Sequence, residues 1–326
     1  MKVVYYNRQS TPGNFSIERV FQEVREALPH SLDLEDFFWD PKHRLRSLLD
    51  ASRCQGDVNH ITGHVHFLAL SLVGERTLLT VHDLGHFEHT LRGIKKRVYG
   101  HVWLEKPFRK VKMITTVSEF TRQTILEHFP FCAGRIEVIH NPAPRSFAFA
   151  PREFNADKPR ILQIGSGLNK NLDRLIDAIS GIDCELVLIR KPDVLIQRKL
   201  QHRWIDHTFH YNLTASEIYD KYVSCDIVYF ASTHEGFGLP IVEANAVGRP
   251  IIVGNVTAMP EIAGGSAYVV DPYSVDSIRK AVLDLKNEES LRVDLINKGR
   301  ENIKRFEPGV IARQYVELYE AICDGH

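Results

Sequence analysis

Two glutamates, Glu235 and Glu243, are separated by seven residues that include a glycine-rich turn, in the stretch HEGFGLPIVE. The apolar run at 225–231 predicts a buried parallel strand, and 240–247 predicts a helix, so the glycines lie where a strand passes into a helix. Backbone N–H groups and the positive end of a helix favour phosphate. A carboxylate pair beside such a turn predicts a ligand with both hydroxyls and phosphates, such as a nucleotide sugar.

This stretch resembles the Glu-x7-Glu signature of the retaining glycosyltransferases of family 4, which have the GT-B fold. The resemblance continues in family order through ANAVGRP (244–250), PEIAGG (260–265) and VDP (270–272). It implies that Glu243 binds the ribose hydroxyls of the nucleotide and that Glu235 binds hydroxyls of the transferred sugar, near the reacting carbon. It also implies that backbone groups of the turn hold phosphate or sugar oxygens, namely those of Gly236, Phe237, Gly238 and Leu239.

A second phosphate-binding turn is predicted at 164–172, where IGSGLNKNL follows a strand. A glycine turn with a lysine at the next helix start can bind a pyrophosphate without a metal. By the resemblance, Lys170 is the phosphate-binding lysine, and Gly165 and Asn171 belong to the same motif. Ser166 stands where the family usually has arginine. Arg190 or Lys191, after the next strand, could supply that charge to the donor, or could be solvated charges at a strand end.

In the first half, the segment TVHDL at 80–84, at the end of a predicted strand, contains His82 and Asp83. The resemblance implies that His82 contacts a donor-sugar hydroxyl or the reacting region and that Asp83 orients it. A later strand ends in Val-Ser-Glu-Phe, and the family match places Ser118 on the acceptor side. Ser118 is also the predicted cap of the helix at 119–129, because a serine before an acidic first turn favours a helix start. His82, His86 and His89 also raise a zinc hypothesis, but the glutamate of the zincin spacing is missing and Gly85 interrupts the helix. No metal is expected.

The loop after the first strand contains Gly13 and Asn14 before a helix. The family usually has a glycine-rich turn here, which would border the acceptor and the donor phosphate. A plain helix cap by Asn14 or Ser16 is the alternative.

The elements that must position these residues alternate between strand and helix. First-half strands are predicted at Val3–Tyr6, 58–61, 77–81, 112–117 and 136–139, with helices at 17–28 and 119–129; second-half strands are predicted at 160–164, 184–189, 225–231, 250–253 and 267–270. This alternation favours doubly wound parallel sheets. With the resemblance, we expect an α/β protein of GT-B fold, with two Rossmann-like domains facing a central cleft.

The proline-rich stretch 141–159 is the predicted linker. It separates an acceptor-side domain at 1–150 from a nucleotide-sugar-binding domain at 151–326. The apolar spacing of 309–322 predicts a last helix, which in the family often packs back toward the first domain.

The composition predicts an ordinary globular protein, with 41 Lys and Arg against 41 Asp and Glu and five scattered cysteines. No signal peptide and no membrane-spanning apolar run is apparent, so we expect a cytoplasmic protein with reduced cysteines. The segment 92–112 carries eight basic residues, one glutamate and interleaved aromatic residues. It is interpreted as a solvated helix face, or as a peripheral contact with the inner face of an anionic membrane or with a phosphorylated lipid. No motif supports nucleic-acid binding.

These patterns predict a retaining, metal-independent glycosyltransferase that moves a sugar from a UDP- or GDP-sugar to an acceptor hydroxyl. The expected acceptor is a lipid-linked, envelope or polysaccharide glycan, and no cofactor beyond the donor is expected. His82, Lys170 and Glu235 are the candidates for the reacting centre. The alternatives are a non-catalytic nucleotide-sugar-binding partner and another GT-B enzyme such as an epimerase. A glycoside hydrolase would leave the phosphate-binding turn unexplained.

Overall fold

A computed structural model describes residues 1–9 and 16–325 of the chain. Two compact units are present: Met1–Pro142 together with Glu307–His326, and Ala143–Phe306. Among the described residues, no helix has the length and apolar character needed to cross a membrane.

The first unit is built on six parallel strands: β1 (Lys2–Arg8), β2 (Asp33–Trp39), β3 (Val58–Ile61), β4 (Thr77–Val81), β5 (Met113–Thr116) and β6 (Ile136–Val138). They are ordered β2-β1-β3-β4-β5-β6. Strands β3 and β4 are buried along their whole length, as expected for central strands of a parallel sheet. The chain order reverses between β1 and β3, which makes their carboxyl ends the switch point of this sheet.

Five helices accompany this sheet: α1 (Ser16–Ala27), α2 (Arg44–Arg53), α3 (Gly93–Tyr99), α4 (Lys106–Lys110) and α5 (Glu119–His128). Short 3₁₀ turns lie at His66–Ser71, Gly74–Arg76 and Pro130–Cys132, and π-helical turns at His86–Thr90 and Gly100–Glu105. Helix α5 begins where the sequence predicts, because the Ser118 hydroxyl accepts a hydrogen bond from the Thr121 N–H at 3.1 Å.

The second unit has six parallel strands, β7 (Arg160–Ile164), β8 (Glu185–Ile189), β9 (Asp206–His210), β10 (Ile227–Phe230), β11 (Ile251–Gly254) and β12 (Tyr268–Val270). Its helices are α6 (Leu172–Ile179), α7 (Val194–His202), α8 (Ala215–Ser224), α9 (Leu239–Val247), α10 (Met259–Ala263), α11 (Val275–Asn287) and α12 (Glu289–Asn302), with 3₁₀ turns at Leu168–Lys170 and Ile303–Phe306. The strand order β12-β11-β10-β7-β8-β9 is that of a Rossmann sheet.

The last helix, α13 (Pro308–Cys323), belongs to the first unit. A buried polar network attaches it there. The Tyr319 hydroxyl lies 2.8 Å from Nδ1 of His60 on β3 and 3.1 Å from the hydroxyl of Tyr5 on β1. Nε2 of His60 in turn lies 2.7 Å from the Thr80 hydroxyl on β4. All these groups are buried, so the network fixes the helix across three strands.

The first segment of the first unit ends at Pro142, eight residues before the boundary expected from the proline-rich stretch. Residues 143–150 are held by the second unit: the Ala143 N–H donates to the Phe306 carbonyl at 2.7 Å, and the Ala150 N–H donates to the Val247 carbonyl at 3.2 Å. Phe147 also packs edge-on against Tyr222. The prolines therefore mark an irregular segment, but most of its length is part of the second unit.

The predicted strands and the helices at 17–28, 119–129, 240–247 and 309–322 are confirmed to within about three residues. Strands β2 and β9 were not predicted. Both are edge strands, and both carry exposed polar residues rather than an apolar run. An edge strand buries less of its length, so its hydrophobic pattern is weaker.

Candidate functional site

The carboxyl ends of β7 and β10 form the switch point of the second sheet, because these neighbouring strands are followed by helices that lead in opposite directions along the sheet. The loop after β7 spans residues 165–171, and the loop after β10 spans 231–238. These are the two glycine-rich turns that the sequence predicts as phosphate sites. The Thr233 N–H donates to the Asn169 carbonyl at 2.8 Å, which joins the two loops directly.

The glycine at the start of the first loop is required by its backbone. Gly165 has φ of +99°, and a Cβ there would lie 3.0 Å from the Lys170 side chain. Asn171 closes the loop in a left-handed conformation, with φ of 58°. Its buried side-chain amide donates to the carbonyls of Ala231 and Pro272 at 3.0 and 2.6 Å. Asn171 therefore holds the loop in place, and its amide is occupied inside the protein.

Lys170 and Glu235 form the contact that links the loops at their centre. Nζ of Lys170 lies 2.6 Å from Oε1 of Glu235, and the side chains are 23% and 14% exposed. The Asn169 amide donates to the same carboxylate oxygen at 3.3 Å, and to the His234 carbonyl at 3.0 Å. The ammonium also lies 4.9 Å from the centre of the Phe230 ring. This short, partly buried ion pair fixes the positions of the ammonium group and the carboxylate relative to each other.

Glu243 lies one turn inside α9 and is buried. The Tyr222 hydroxyl of α8 donates to its Oε2 at 2.6 Å, which orients the carboxylate from a neighbouring helix. The helix begins after Gly238, whose φ of +108° and close neighbours Phe230 and Ile241 exclude a side chain. The two glutamates therefore have different surroundings. Glu235 lies in a loop and is paired with Lys170, whereas Glu243 lies in α9 and is oriented by the Tyr222 hydroxyl.

Three buried polar atoms near these strand ends have no hydrogen-bond partner among the described residues: Oε1 of Gln163, Nε of Arg190 and Oγ of Ser232. Gln163 is in β7, Ser232 follows β10, and Arg190 follows β8 next to the first loop, because the Gly165 N–H donates to the Ile189 carbonyl. Buried polar groups are almost always hydrogen-bonded. Their position at one sheet edge indicates a surface built to meet a polar ligand.

His82 follows β4 in the first unit and is 9% exposed. Its Nε2 lies 2.8 Å from the Thr62 carbonyl. A carbonyl only accepts, so Nε2 carries the proton and Nδ1 keeps its lone pair. Burial lowers the pKa of His82 to about 4, so the ring is neutral at neutral pH. Asp83 accepts the Gly85 N–H at 2.8 Å and shapes the turn after the strand.

The other first-unit candidates have different surroundings. Ser118 is fully buried, and its hydroxyl caps α5 as the sequence predicts. His86 packs edge-on against Tyr99, whereas His89 is 60% exposed, so these two do not share the setting of His82. Gly13 and Asn14 lie outside the described residues.

The structure thus brings together the predicted residues of the second unit at one edge of its sheet: Gly165, Ser166, Lys170, Asn171, Arg190 and the segment Glu235–Leu239, with Glu243 behind them. The sequence did not single out Tyr222, Asn169, Gln163 or Ser232. Asn169 could have been noticed as the neighbour of the lysine. Tyr222 carries no local signal, because only the packing of α8 on α9 brings it to the glutamate.

Two family models match the chain and together span residues 2–302. The model "Glycosyltransferase Family 4" matches residues 2–146, and "Glycosyl transferases group 1" matches residues 144–302. The chain therefore belongs to the family 4 glycosyltransferases, as the resemblance at the glutamate pair predicted.

Individual proteins similar to this chain are also glycosyltransferases. The chain is 28% identical over 275 residues to O-antigen chain mannosyltransferase B of Escherichia coli, covering 76% of this chain and 71% of the relative. It is 30% identical over 241 residues to the MMP alpha-(1->4)-mannosyltransferase of Mycolicibacterium hassiacum, covering 69% of this chain and 58% of that one. Among solved structures, Anabaena HepE in complex with UDP and glucose has a TM-score of 0.76 at 16% identity, covering 98% and 100% of the two chains. This likeness confirms the GT-B fold.

Proposed function

We propose that the chain transfers a sugar from a nucleotide diphosphate sugar to an acceptor hydroxyl, with retention of configuration at the anomeric carbon. The bond between that carbon and the β-phosphate oxygen breaks, and a bond to the acceptor oxygen forms on the same face. The acceptor's proton passes to the departing diphosphate. Negative charge grows on the diphosphate as it leaves, so preorganised positive groups lower the barrier.

The observation that carries this proposal is the Lys170–Glu235 ion pair at the switch point of the second sheet. Ligands of such sheets bind outside the carboxyl ends of the strands at this point. A diphosphate entering there competes with the carboxylate for the lysine. Once released, Glu235 can accept hydrogen bonds from sugar hydroxyls, so one contact serves both parts of the donor.

The proposed donor contacts extend from this pair along the sheet edge. Arg190 is next to the first loop and its Nε lacks a partner among the described residues, which supports it as the cation that replaces the family arginine at Ser166. Backbone groups of 236–239 would hold phosphate or sugar oxygens at the start of α9. Glu243, oriented by Tyr222, would accept the ribose hydroxyls.

For the first unit we propose that Nδ1 of His82 accepts a hydrogen bond from a hydroxyl of the donor sugar. Its neutral state and its Nε2 contact with Thr62 support this role. Gly13 and Asn14 remain proposals for the acceptor side.

We propose that the reaction needs no bound metal, because lysine, arginine and helix-start N–H groups can carry the diphosphate charge. Transfer should then continue undiminished in excess EDTA. A loss of activity that Mg²⁺ or Mn²⁺ restores would contradict this part.

The donor class is a GDP- or UDP-sugar, and the acceptor class is a lipid-linked, envelope or polysaccharide glycan. The relatives named for mannosyl transfer make GDP-mannose the first donor to test, and the neighbour that binds UDP makes UDP-glucose the second. The alternatives are a non-catalytic nucleotide-sugar-binding partner and a nucleotide-sugar epimerase.

The deciding experiment measures release of free nucleotide from a panel of nucleotide sugars, with and without oligosaccharide acceptors. Lys170→Ala should lower kcat by about 10²–10³-fold, the usual cost of losing one preorganised charge-stabilising donor. Glu243→Ala should mainly weaken nucleotide binding. Lys199→Ala is the matched control, since that lysine is also partly buried and ion-paired, with Asp173 and Asp177 on α6.

Tight nucleotide binding with no release from any donor would defeat the transferase proposal in favour of a binding partner. Interconversion of the donor sugar without release would favour an epimerase. Equal, negligible effects of Lys170→Ala and Glu243→Ala would mean that the site is elsewhere.

We also propose that the segment 92–112 contacts an anionic membrane surface. Leu104 and Phe108 are buried in the core of the first unit, so they cannot insert into lipid. Ile94 and Val98, one turn apart on α3, are 78% and 54% exposed beside basic residues, which supports interfacial contact. A double Ile94→Asn, Val98→Asn variant should sediment less with phosphatidylglycerol vesicles than wild type, whereas Leu195→Asn on α7 should not. Equal sedimentation with neutral phosphatidylcholine vesicles would contradict the role of charge.

A further inference from the structure

Trp204 is the most exposed aromatic side chain among the described residues, with 94% of its surface open to water. It also adopts a left-handed backbone conformation, with φ of 53°. Both properties are unfavourable for tryptophan, because a bulky residue seldom takes positive φ and an indole gains free energy from burial.

The local turn does not explain the tryptophan. Helix α7 ends at His202, and the Trp204 N–H donates to the Gln201 carbonyl at 3.1 Å. The Ile205 N–H donates to the Leu200 carbonyl at 3.1 Å, which completes a helix-terminating turn of the type that favours glycine or asparagine at the left-handed position. Glycine would form this turn with less strain.

A cavity of about 500 Å³ lies beside the indole. It is lined by the turn at 180–184, by residues 202–204 and by Asp206. The Asp183 carboxylate is exposed and makes no hydrogen bond or ion pair with another described residue, whereas Asp206 is paired with Lys158. An aromatic face and an unpaired carboxylate therefore border the same space.

This cavity is separate from the donor loops. Cys184 immediately precedes β8 and Asp206 is the first residue of β9, so the cavity lies at the amino ends of these strands. The loops with Lys170 and Arg190 follow carboxyl ends. Strands of five residues span about 16 Å, which places the two features at opposite edges of the sheet.

We propose that Trp204 and Asp183 form a binding site for a sugar ring of a neutral glycan, apart from the donor site. The indole face packs on the C–H face of a pyranose, and the carboxylate accepts hydrogen bonds from adjacent hydroxyls. Of the Asp and Arg side chains that line the cavity, Asp206 is ion-paired with Lys158 and Arg203 with Asp177, so the unpaired carboxylate of Asp183 disfavours a phosphate or another anion. A single indole is far smaller than the apolar centre of a stable protein interface.

The site would keep a glycan chain near the protein through successive reactions. It goes beyond the proposed transfer reaction and does not depend on it, since glycan binding at this edge requires no donor. A failure of the transferase proposal therefore leaves this inference untouched, and the reverse also holds.

The test is electrophoresis in native gels that contain neutral α-mannan or dextran, compared with gels that contain neither. Wild type should be retarded by at least one of the two polysaccharides. Trp204→Gly should lose at least three-quarters of that retardation, while its Tm stays equal to that of wild type or rises, because glycine suits the turn. Asp183→Asn should weaken the retardation, and Tyr211→Ala, at an aromatic residue that is 51% exposed, should be retarded like wild type.

Unchanged mobility of wild type in both polysaccharides would overturn the inference. So would retardation of Trp204→Gly equal to that of wild type. A change of oligomeric state in Trp204→Gly, measured by sedimentation velocity, would identify the indole as a protein contact and would also overturn it.

Discussion

The buried histidines of the first unit predict that acid destabilises this unit at a mild pH. Burial lowers the pKa of His60 and His66 to about 3 and that of His82 to about 4. In the unfolded chain these groups titrate near 6.5. Between the two pKa values the unfolded chain binds protons that the folded protein does not. The contribution of these neutral histidines to the free energy of unfolding is therefore fully present above pH 6.5 and is lost as the pH falls below that value.

The size of the effect follows from the pKa values. At pH 5.5, one unit below the unfolded pKa, each histidine lowers the free energy of unfolding by about 1.4 kcal/mol relative to pH 7.5. The three together lower the free energy of unfolding by about 4 kcal/mol, a large part of the roughly 5–15 kcal/mol typical of a folded domain. Carboxylates with a lowered pKa, such as those of Asp40 and Glu105, also stabilise the folded protein. Their contribution to the free energy of unfolding is lost only below about pH 4.5, outside the range measured for the histidines.

Tryptophan fluorescence can follow this unit selectively. Trp39 and Trp103 are half-buried in the first unit, where each packs against Phe67 at ring distances of 4.8 and 5.4 Å. Trp204 in the second unit is already in water and should change little on unfolding. Urea unfolding followed by fluorescence from pH 7.5 to 5.5 should show a midpoint that falls steadily below pH 6.5.

The variant that tests the cause is His66→Leu, at a position 3% exposed with Phe108 beside the ring. It should remove about one third of the pH dependence, or about 1.4 kcal/mol over this range. His30→Gln, at an exposed position of the same unit, should keep the full dependence. Flat stability across this pH range, or an unchanged slope in His66→Leu, would refute the reasoning.

Three further substitutions test particular contacts. Glu235→Gln should tighten UDP or GDP binding by about three- to tenfold in calorimetry, because the neighbouring lysine is released, while transfer slows by about 100-fold; an unchanged Kd would argue against competition for the lysine. Tyr222→Phe removes the hydrogen bond that orients Glu243, so KM for the donor should rise about tenfold while kcat stays nearly unchanged. A fall in kcat alone would instead place Glu243 at the reacting carbon. Tyr319→Phe should lower the free energy of unfolding of the first unit by about 1–3 kcal/mol in urea, because His60 loses a buried partner, and an unchanged midpoint would mean that the network adds nothing.

Much of the second unit could be predicted because its signals are local. The apolar run at 225–231, the glycines after it and the helix at 240–247 form one continuous segment, so periodicity and turn chemistry alone locate the turn between strand and helix that we propose binds phosphate. The same holds for Lys170, which follows a strand and a glycine turn within a few residues. Strands β2 and β9 were missed because charged and polar residues interrupt their sequences, DLEDFFW and DHTFH, whereas the edge strands β6 and β12 are short runs with apolar residues and were found.

The roles of individual side chains are harder to predict from the sequence. Asn171 resembles a ligand residue in the motif, yet its amide is used by two internal carbonyls that lie 60 and 101 residues away in the chain. Ser118 is an exception, because a serine before an acidic first turn predicts a helix cap and the structure confirms it. Tyr222 reaches Glu243 only through helix packing. Contacts made by distant parts of the chain have no local pattern, so a motif identifies the loop and not the task of each residue within it.

The attachment of α13 to β3 and β1 has a consequence for synthesis on the ribosome. The second unit is one uninterrupted stretch, 143–306, and can complete its core as soon as that stretch emerges. The first unit, although made first, must wait for Tyr315 and Tyr319 to leave the exit tunnel before His60 and Phe21 are covered. During that interval the nascent chain exposes an aromatic face that a chaperone can bind. Shortening the chain from its end should therefore damage the part that was translated earliest.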